Sequence, residues 1–241
     1  DEVGRGALMG PVVTAAVSFP HYPLPLEVQE ALRVANDSKT LKATQREALY
    51  HLILTHAHVG IGWANAEEVD QWNIHRATLL AFYRAVHHLW HQHGTPQQCS
   101  LLVDGIHALP AYWFEAQPTS PLLRQWTMVQ GDQRSLSIAC ASIVAKHLRD
   151  TWAETLSTTY PLYRPFAWEK NKGYGSTEHR EALQQYGATL FHRNTFLKKL
   201  EVNPTLFKVP TSLDTDTSAF VLPQGLSVGF GLETQRPVTF P

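Results

Sequence analysis

Val12 to Phe19 constrains this chain more than any other stretch: it is rich in Val and Ala, follows the turn signal Gly10-Pro11 and stops at Pro20. A short apolar run of this kind, bounded by glycine and proline, reads as a β-strand. The turn in front of it sends the strand back antiparallel to the residues that begin the chain, so Asp1 onward is expected to form the first arm of a hairpin. A Pro-rich loop follows, and Asn36-Asp37-Ser38-Lys39 leads into a helical pattern from about Ala43 to His56, with Leu49, Leu52 and Ile53 on one face. His58 to Ala64 reads as a strand. Glu67 to Trp90 is helical through Val69, Ile74, Ala77, Leu80, Ala81 and Val86, weakly interrupted near Trp72 and capped by Gly94. Short strands are expected at Leu101-Leu102-Val103 and at Trp126 to Gln130, and a core helix from Ser135, where Ile138, Ala141, Ala145 and Leu148 recur at helical spacing. This order predicts an α/β fold: a mixed five-stranded sheet, flanked by helices, that begins as a meander and finishes with parallel crossovers. Tyr160 to Leu200 reads as loop and helix, and residues 203–241, with scattered Pro, Thr, Ser and Gly and no periodicity, as a disordered tail.

Composition narrows the function classes. With 241 residues, 44% hydrophobic and 17% charged, the chain can bury a substantial core in one main domain. The longest apolar stretch, Ala7 to Phe19, is broken by Gly10 and Pro11 and preceded by no basic region, so a soluble, cytoplasmic protein and no membrane association are expected. Cys99 and Cys140 offer neither a disulfide framework nor zinc spacing and are read as buried thiols. A formal net charge of −1 excludes a protein that coats nucleic acid indiscriminately and requires any phosphate-binding surface to be local. Residues 141–200 carry nine Lys or Arg against five Asp or Glu, which marks such a region or a solvated face. The thirteen histidines show no ligand pattern, and His87, His88, His91 and His93 are expected to decorate an exposed helix end.

The candidate chemistry lies in acidic residues at strand ends. Asp1-Glu2 opens the chain, Asp104 follows the Leu101–Val103 strand and Asp132 follows the next one. α/β sheets place ligands at the carboxyl ends of their strands, and carboxylate oxygens are the hard ligands that Mg²⁺ and Mn²⁺ prefer. Asp is also a common turn former at strand ends, and adjacent strand residues point to opposite faces. Asp1 and Glu2 can therefore share a site only where the strand distorts, which Gly4 and Gly6 permit. Backbone flanked by glycine, as around Arg5, can also approach a polyanion closely.

Seven blocks taken in order make these residues specific: DEVGRGALMGPVVTAAV (1–17), NDSKTL (36–41), DQWNIHRATLLAFYRAV (70–86), LLVDG (101–105), GDQRSLSIACASIVAKHLRD (131–150), KGYGS (172–176) and HRNTF (192–196). Together they resemble type 2 ribonuclease H, the bacterial ribonuclease HII, over about residues 1–200. The resemblance implies a ribonuclease H-like catalytic domain with a helical C-terminal part from about residue 160. It implies a monomeric endoribonuclease that hydrolyses the RNA strand of RNA/DNA hybrids and cuts 5′ to ribonucleotides embedded in duplex DNA. The implied mechanism uses two divalent ions, Mg²⁺ or Mn²⁺, held by Asp1, Glu2, Asp104 and Asp132, and leaves 3′-hydroxyl and 5′-phosphate ends. Gly4, Arg5, Gly6 and Tyr174 would recognise the ribonucleotide through its 2′-hydroxyl, and Lys39, Lys146, Lys172 and Arg193 would contact phosphate or remain solvated surface groups.

Three positions depart from the family pattern without removing a proposed ligand: Asn171 where histidine is common, Cys140 in place of a small alanine and Thr195 where serine is frequent. The start at Asp1 is expected to be a cloning or gene-call boundary that truncates the first strand and sets an α-ammonium beside the first carboxylate. Two rival functions share the fold: a non-cleaving hybrid-binding protein, and another ribonuclease H-like nuclease acting on DNA. In the tail, Gln224 to Phe230 resembles the Gln-and-aromatic peptides that dock on sliding clamps.

Overall fold

The computed structural model describes residues 1–37, 41–115, 122–198 and 200. At its centre the apolar run forms β2 (Val12–Ser18), which lies between the short β1 (Glu2–Val3) and β3 (His58–Ala64), antiparallel to both. Glu2 pairs with Thr14, and Val13 with Trp63. β4 (Cys99–Asp104) and β5 (Leu122–Met128) form a parallel ladder, as a crossover requires. All five expected strands are present in mixed sense, and their hydrogen bonding divides into these two ladders. A cavity of about 520 Å³ separates β2 from β4, lined by Ala16, Val17, Leu101 and Val103 at its sides and Phe82 and Ala141 behind. β5 begins before the expected Trp126, and it ends at Met128 rather than Gln130 because the chain turns at Gln130, which has a left-handed φ of 55°.

Helices α2 (Ala43–His56) and α3 (Ala66–His93) occupy their expected places. Asn65 and Glu68 form a reciprocal cap at the start of α3, each side chain accepting the other's backbone N–H at 2.8 and 3.0 Å. The weak interruption near Trp72 is a true break. Asn73 has φ 63° and its Oδ1 accepts from the amides of His75 and Arg76, so it caps a second helical segment within α3. α3 lies directly on β3: a Cβ on Gly60 or Gly62 would come within 2.1 or 2.0 Å of the Ala85 or Ala81 carbonyl oxygen. The expected Pro-rich loop contains α1 (Leu26–Leu32), entered from Pro25 and held by buried Val28 and Leu32. Its two turns are too short for the periodicity to register.

α4 (Tyr112–Glu115) stands in the β4–β5 crossover. α5 (Leu136–Thr159) is the core helix: Ala139, Cys140, Ala141 and Ala145 let it approach the sheet, while Ile143, Val144 and Leu148 are fully buried, each worth about 1.5 to 3 kcal/mol. The C-terminal part holds α6 (Trp168–Asn171), α7 (Thr177–Tyr186) and α8 (Asn194–Leu197) around a cluster of Met9, Tyr163, Phe166, Trp168 and Leu183. It joins the N-terminal region through an isolated bridge from His192 to Met9 and through the Leu8 amide, which donates to the Gly173 carbonyl at 2.9 Å. Two expectations need correction. His88 is buried, because its Nδ1 accepts the Ile61 amide at 2.8 Å across the α3–β3 contact. Cys99 is half-buried at the cavity edge, whereas burial pushes the Cys140 thiol up to about 12. Among the described residues, no helix is long and apolar enough to cross a membrane. The tail and Lys39 lie outside the described residues.

Candidate active site

Three of the four strand-end carboxylates come together. One carboxylate oxygen each from Asp1, Glu2 and Asp104 lies within 4.8 Å of the other two, and all three residues are half-buried. β1 supplies Glu2, the residue just before it Asp1, and β4 supplies Asp104. The Asp1 backbone pairs with Ala15 through its ammonium at 3.3 Å and its carbonyl at 3.1 Å. Asp1 Oδ1 accepts the Glu2 amide at 2.6 Å, and a carboxylate oxygen of each of these adjacent residues reaches the same cluster. At the other corner Asp104 Oδ1 accepts the Gly131 amide at 2.7 Å, and the Gly105 amide reaches the Met128 carbonyl at 3.0 Å. Gly131 has to be glycine: a Cβ there would lie 2.6 Å from the Ile138 side chain and 3.0 Å from Asp104 Oδ1.

Asp132 sits one residue beyond that contact, buried in the turn at Gly131–Gln133 that leads into α5. It is outside the cluster of three but close enough to act on it electrostatically. Burial pushes the Asp1 α-ammonium below its ordinary range, and the negative charges of Glu2, Asp104 and Asp132 partly oppose that. Like charges this close repel by about 3 to 4 kcal/mol per pair at an effective dielectric of 20. A divalent cation relieves that repulsion directly, and three hard oxygen donors suit Mg²⁺ or Mn²⁺.

Beside the carboxylates, residues 4–11 fold over two buried guanidinium groups. Arg149 Nε, Nη1 and Nη2 donate to the carbonyls of Pro11, Lys172 and Met9 at 3.0, 2.8 and 3.0 Å. Arg193 Nε donates to the Gly10 carbonyl at 2.9 Å, and its Nη1 to those of Arg5 and Ala7 at 3.0 and 2.9 Å. Burial, with the neighbouring Arg149 charge, pulls Arg193 down to about 9, which still leaves it charged at neutral pH. Gly4, at φ 88°, lies flat on Arg149, so that a Cβ would fall 2.1 Å from its Nε.

The same framework carries Tyr174. Its ring lies 5.4 Å from the Arg149 guanidinium and 5.9 Å from Lys146 Nζ, and a Cβ on Gly6 would be 3.9 Å from Tyr174 Cε1. Its carbonyl accepts from His179 Nδ1 at 2.9 Å. That hydrogen bond fixes the tautomer of His179, whose Nε2 then accepts from Trp168 Nε1 at 3.1 Å and from His192 Nε2 at 3.0 Å. His192 Nδ1 in turn accepts the Thr189 amide at 2.9 Å. Both imidazoles are neutral: burial and the adjacent His179 push His192 down to about 3, and burial lowers His179.

The structure therefore divides the candidate substrate residues. Gly4, Arg5, Gly6 and Tyr174 lie on one continuous edge next to the carboxylates, with Arg5 Nη1 3.2 Å from Glu2 Oε1. Lys146 is one-third exposed and bonded to Asp150 at 2.9 Å. Lys172 donates to Glu154 at 3.0 Å and to the Glu169 carbonyl, which directs its ammonium into the C-terminal part. Arg193 has no exposed surface, so its expected role as a phosphate contact is corrected to holding the loop. Arg149 and Arg193 are thus two of the nine basic residues of 141–200 that the fold takes inside, while Arg164, Lys170, Arg180 and Lys198 stay exposed. Sequence reasoning missed Arg149, because an arginine beside Asp150 on a helix reads as surface. The small and apolar run Ile138–Leu148 just before it was the available signal that this helix face is buried.

The chain is similar over most of its length to known proteins. The family model described as Ribonuclease HII matches residues 1–199. A ribonuclease HII of Thermosynechococcus vestitus is 44% identical over 204 residues, covering 83% of each chain. One from Ehrlichia ruminantium is 41% identical over 196 residues, covering 81% of this chain and 82% of that one. Among solved structures, the PCNA:RNase HII complex from Archaeoglobus fulgidus matches with a TM-score of 0.64 at 21% identity, over 84% of this chain and 95% of that one. Bst-RNase HIII in complex with Mn²⁺ matches with a TM-score of 0.60 at 17% identity, over 86% and 65% of the respective chains.

Proposed function

The chain belongs to the ribonuclease HII family, and from that premise we propose that it incises duplex DNA on the 5′ side of an embedded ribonucleotide as well as cutting RNA/DNA hybrids, with two divalent ions and 3′-hydroxyl and 5′-phosphate products. Family membership itself makes it a ribonuclease H, a metal-dependent endonuclease acting on RNA/DNA hybrids. The observation that carries the finer reading is the convergence of Asp1, Glu2 and Asp104 beside the Gly4–Gly6 edge. Three half-buried carboxylates in mutual repulsion fit divalent metal, and these residues would hold it, with Asp132 completing the set. Bound ions of this kind activate water and stabilise the leaving oxygen of an in-line displacement. Mg²⁺ and Mn²⁺ both suit oxygen ligands, and the Mn²⁺ complex of the fold relative Bst-RNase HIII supports the second.

The protein's own groups position the substrate. Gly131 fixes the Asp104 carboxylate through its amide. Gly6, exposed, lets nucleic-acid backbone approach, Gly4 seats the loop on Arg149, and the Tyr174 ring, one-third exposed, closes the edge opposite Gly6. A 2′-hydroxyl is the group that separates RNA from DNA at one nucleotide. A sliding-clamp contact through Gln224–Phe230 belongs to the same proposal, supported by the PCNA complex of the archaeal fold relative. Binding of a 220–234 peptide to a clamp checks it, and no binding removes it.

The test uses labelled duplex DNA carrying one ribonucleotide, an all-DNA duplex of the same sequence and an RNA/DNA hybrid, each with and without Mg²⁺ or Mn²⁺. Metal-dependent cleavage 5′ to the ribonucleotide with the all-DNA control intact is the expected result. Cutting of the control assigns the chain a DNA nuclease activity instead, and binding without cleavage leaves a hybrid-binding protein.

A further inference from the structure

Every hydrogen bond that Arg193 makes among the described residues goes to a backbone carbonyl, and two of those carbonyls, Arg5 and Ala7, flank Gly6. In a planar trans peptide the N–H of one residue points opposite to the carbonyl of the residue before it. Holding the Arg5 carbonyl inward therefore turns the Gly6 amide outward. Gly6 is exposed, its amide has no acceptor among the described residues, and the nearest group across the edge is the Tyr174 ring.

We propose that Arg193 is a positioning residue for substrate discrimination: from beneath the loop it aims the Gly6 amide at the 2′-hydroxyl of the ribonucleotide. This deepens the functional reading above and rests on it. The planar guanidinium fork suits three carbonyls at once, with Nε on Gly10 and Nη1 shared between Arg5 and Ala7. A lysine ammonium on a flexible stem cannot reproduce that fork. Arg149 supports the opposite side of the edge, where it holds the Lys172 carbonyl and underlies the Tyr174 ring. The hydroxyl oxygen accepts from the amide, so the contact needs no charge and rejects a deoxyribonucleotide by leaving the donor unpaired.

The experiment measures binding in the full chain carrying Asp104→Asn, with Mg²⁺ present. Affinity for duplex DNA with one ribonucleotide is compared with affinity for the same duplex without it. Arg193→Lys and Arg193→Met are each expected to reduce that preference by about tenfold, the loss of one aligned hydrogen bond, while affinity for the all-DNA duplex is unchanged and near-UV circular dichroism remains native. Variants that stay folded and keep the preference overturn the proposal. A second measurement needs no Arg193 variant: with ¹⁵N-glycine labelling, the Gly6 amide resonance shifts on adding the ribonucleotide duplex and not on adding the all-DNA duplex. A Gly6 resonance that ignores the 2′-hydroxyl removes the inference, even where both Arg193 variants unfold. A wild-type chain that cleaves at the ribonucleotide yet shows no such shift keeps the functional reading and loses only this one, whereas a chain that neither prefers nor cuts that duplex loses both.

Discussion

Asp1, Glu2 and Asp104 gather three negative groups and leave them half exposed, whereas Arg149 and Arg193 bury two positive groups completely against backbone carbonyls, which take every donor nitrogen except Arg193 Nη2 among the described residues. The two regions treat like charge in opposite ways. At the strand ends, among the described residues, only the half-exposed Arg5 contact with Glu2 and the Asp1 ammonium offset the repulsion, so the cluster is suited to a cation. Beneath the loop the carbonyl dipoles of residues 5, 7, 9, 10, 11 and 172 already solvate the charge, so the guanidinium groups are built for architecture. Charge identity alone does not reveal function. What surrounds the charge does.

The comparison is broken most severely by exchanging the consequences of the two regions. Asp104→Asn is expected to abolish metal-dependent cleavage, by about a thousandfold or more, since it removes a ligand worth several kcal/mol in the transition state. The same change relieves repulsion with Asp1 and Glu2, so metal-free stability in urea should hold or rise. Near-normal turnover of Asp104→Asn would refute the site. Arg149→Met is expected to do the reverse, destabilising the fold by about 3 to 5 kcal/mol by leaving the Met9, Pro11 and Lys172 carbonyls without their donor. A urea midpoint unchanged by Arg149→Met would show that the loop does not depend on it.

Gly4→Ala is the next smaller perturbation, because it touches the architecture without removing a charge. The left-handed backbone at φ 88° and the contact of the new Cβ with Arg149 should together cost about 1 to 3 kcal/mol. Gly6→Ala, 3.9 Å from Tyr174 and at no left-handed φ, should leave stability nearly unchanged. Equal thermal shifts for the two would mean that Gly4 does not rest on Arg149 as described.

Much of this was legible in the chain. The hairpin, the limits of α2 and β3 and the strand end carrying Asp104 follow from glycine and proline punctuation and from apolar period. Asp1 and Glu2 reach one site while Asp1 keeps its backbone pairing with Ala15, and the Asp1 carboxylate turns back onto the Glu2 amide. Asn73 broke α3 because its side chain caps the amides that follow, which apolar periodicity does not register. The roles of Arg149 and Arg193 were hidden for a deeper reason. Their partners lie 138 and 183 residues away in sequence, and a backbone carbonyl carries no residue-type signal. Local pattern therefore reads these two buried arginines as surface groups.

The smallest effect distinguishes buried bases by their intrinsic strength. Arg193 can lose part of its basicity to burial, down to about 9, and remain a cation, whereas His192, under the same burial and beside His179, is pushed to about 3 and stays neutral. The folded pKa of His192 lies below its unfolded value near 6.5, so the unfolded chain binds more protons in between, and stability falls as pH drops through that window. From pH 6.5 toward 5, above the carboxylate range, the expected slope approaches 1.4 kcal/mol per pH unit for this residue, on the order of one pKa unit's worth of free energy per unit of pH. His179, lowered by burial, adds to it in the same direction. Urea unfolding of wild type and His192→Gln at pH 6.5, 6.0, 5.5 and 5.0 measures the slope. The variant should be flatter, because a glutamine does not titrate. An equally steep loss of stability in the variant would place the proton uptake elsewhere and leave the neutral His179–His192 pair, with the Tyr174 carbonyl it holds, without its proposed cause.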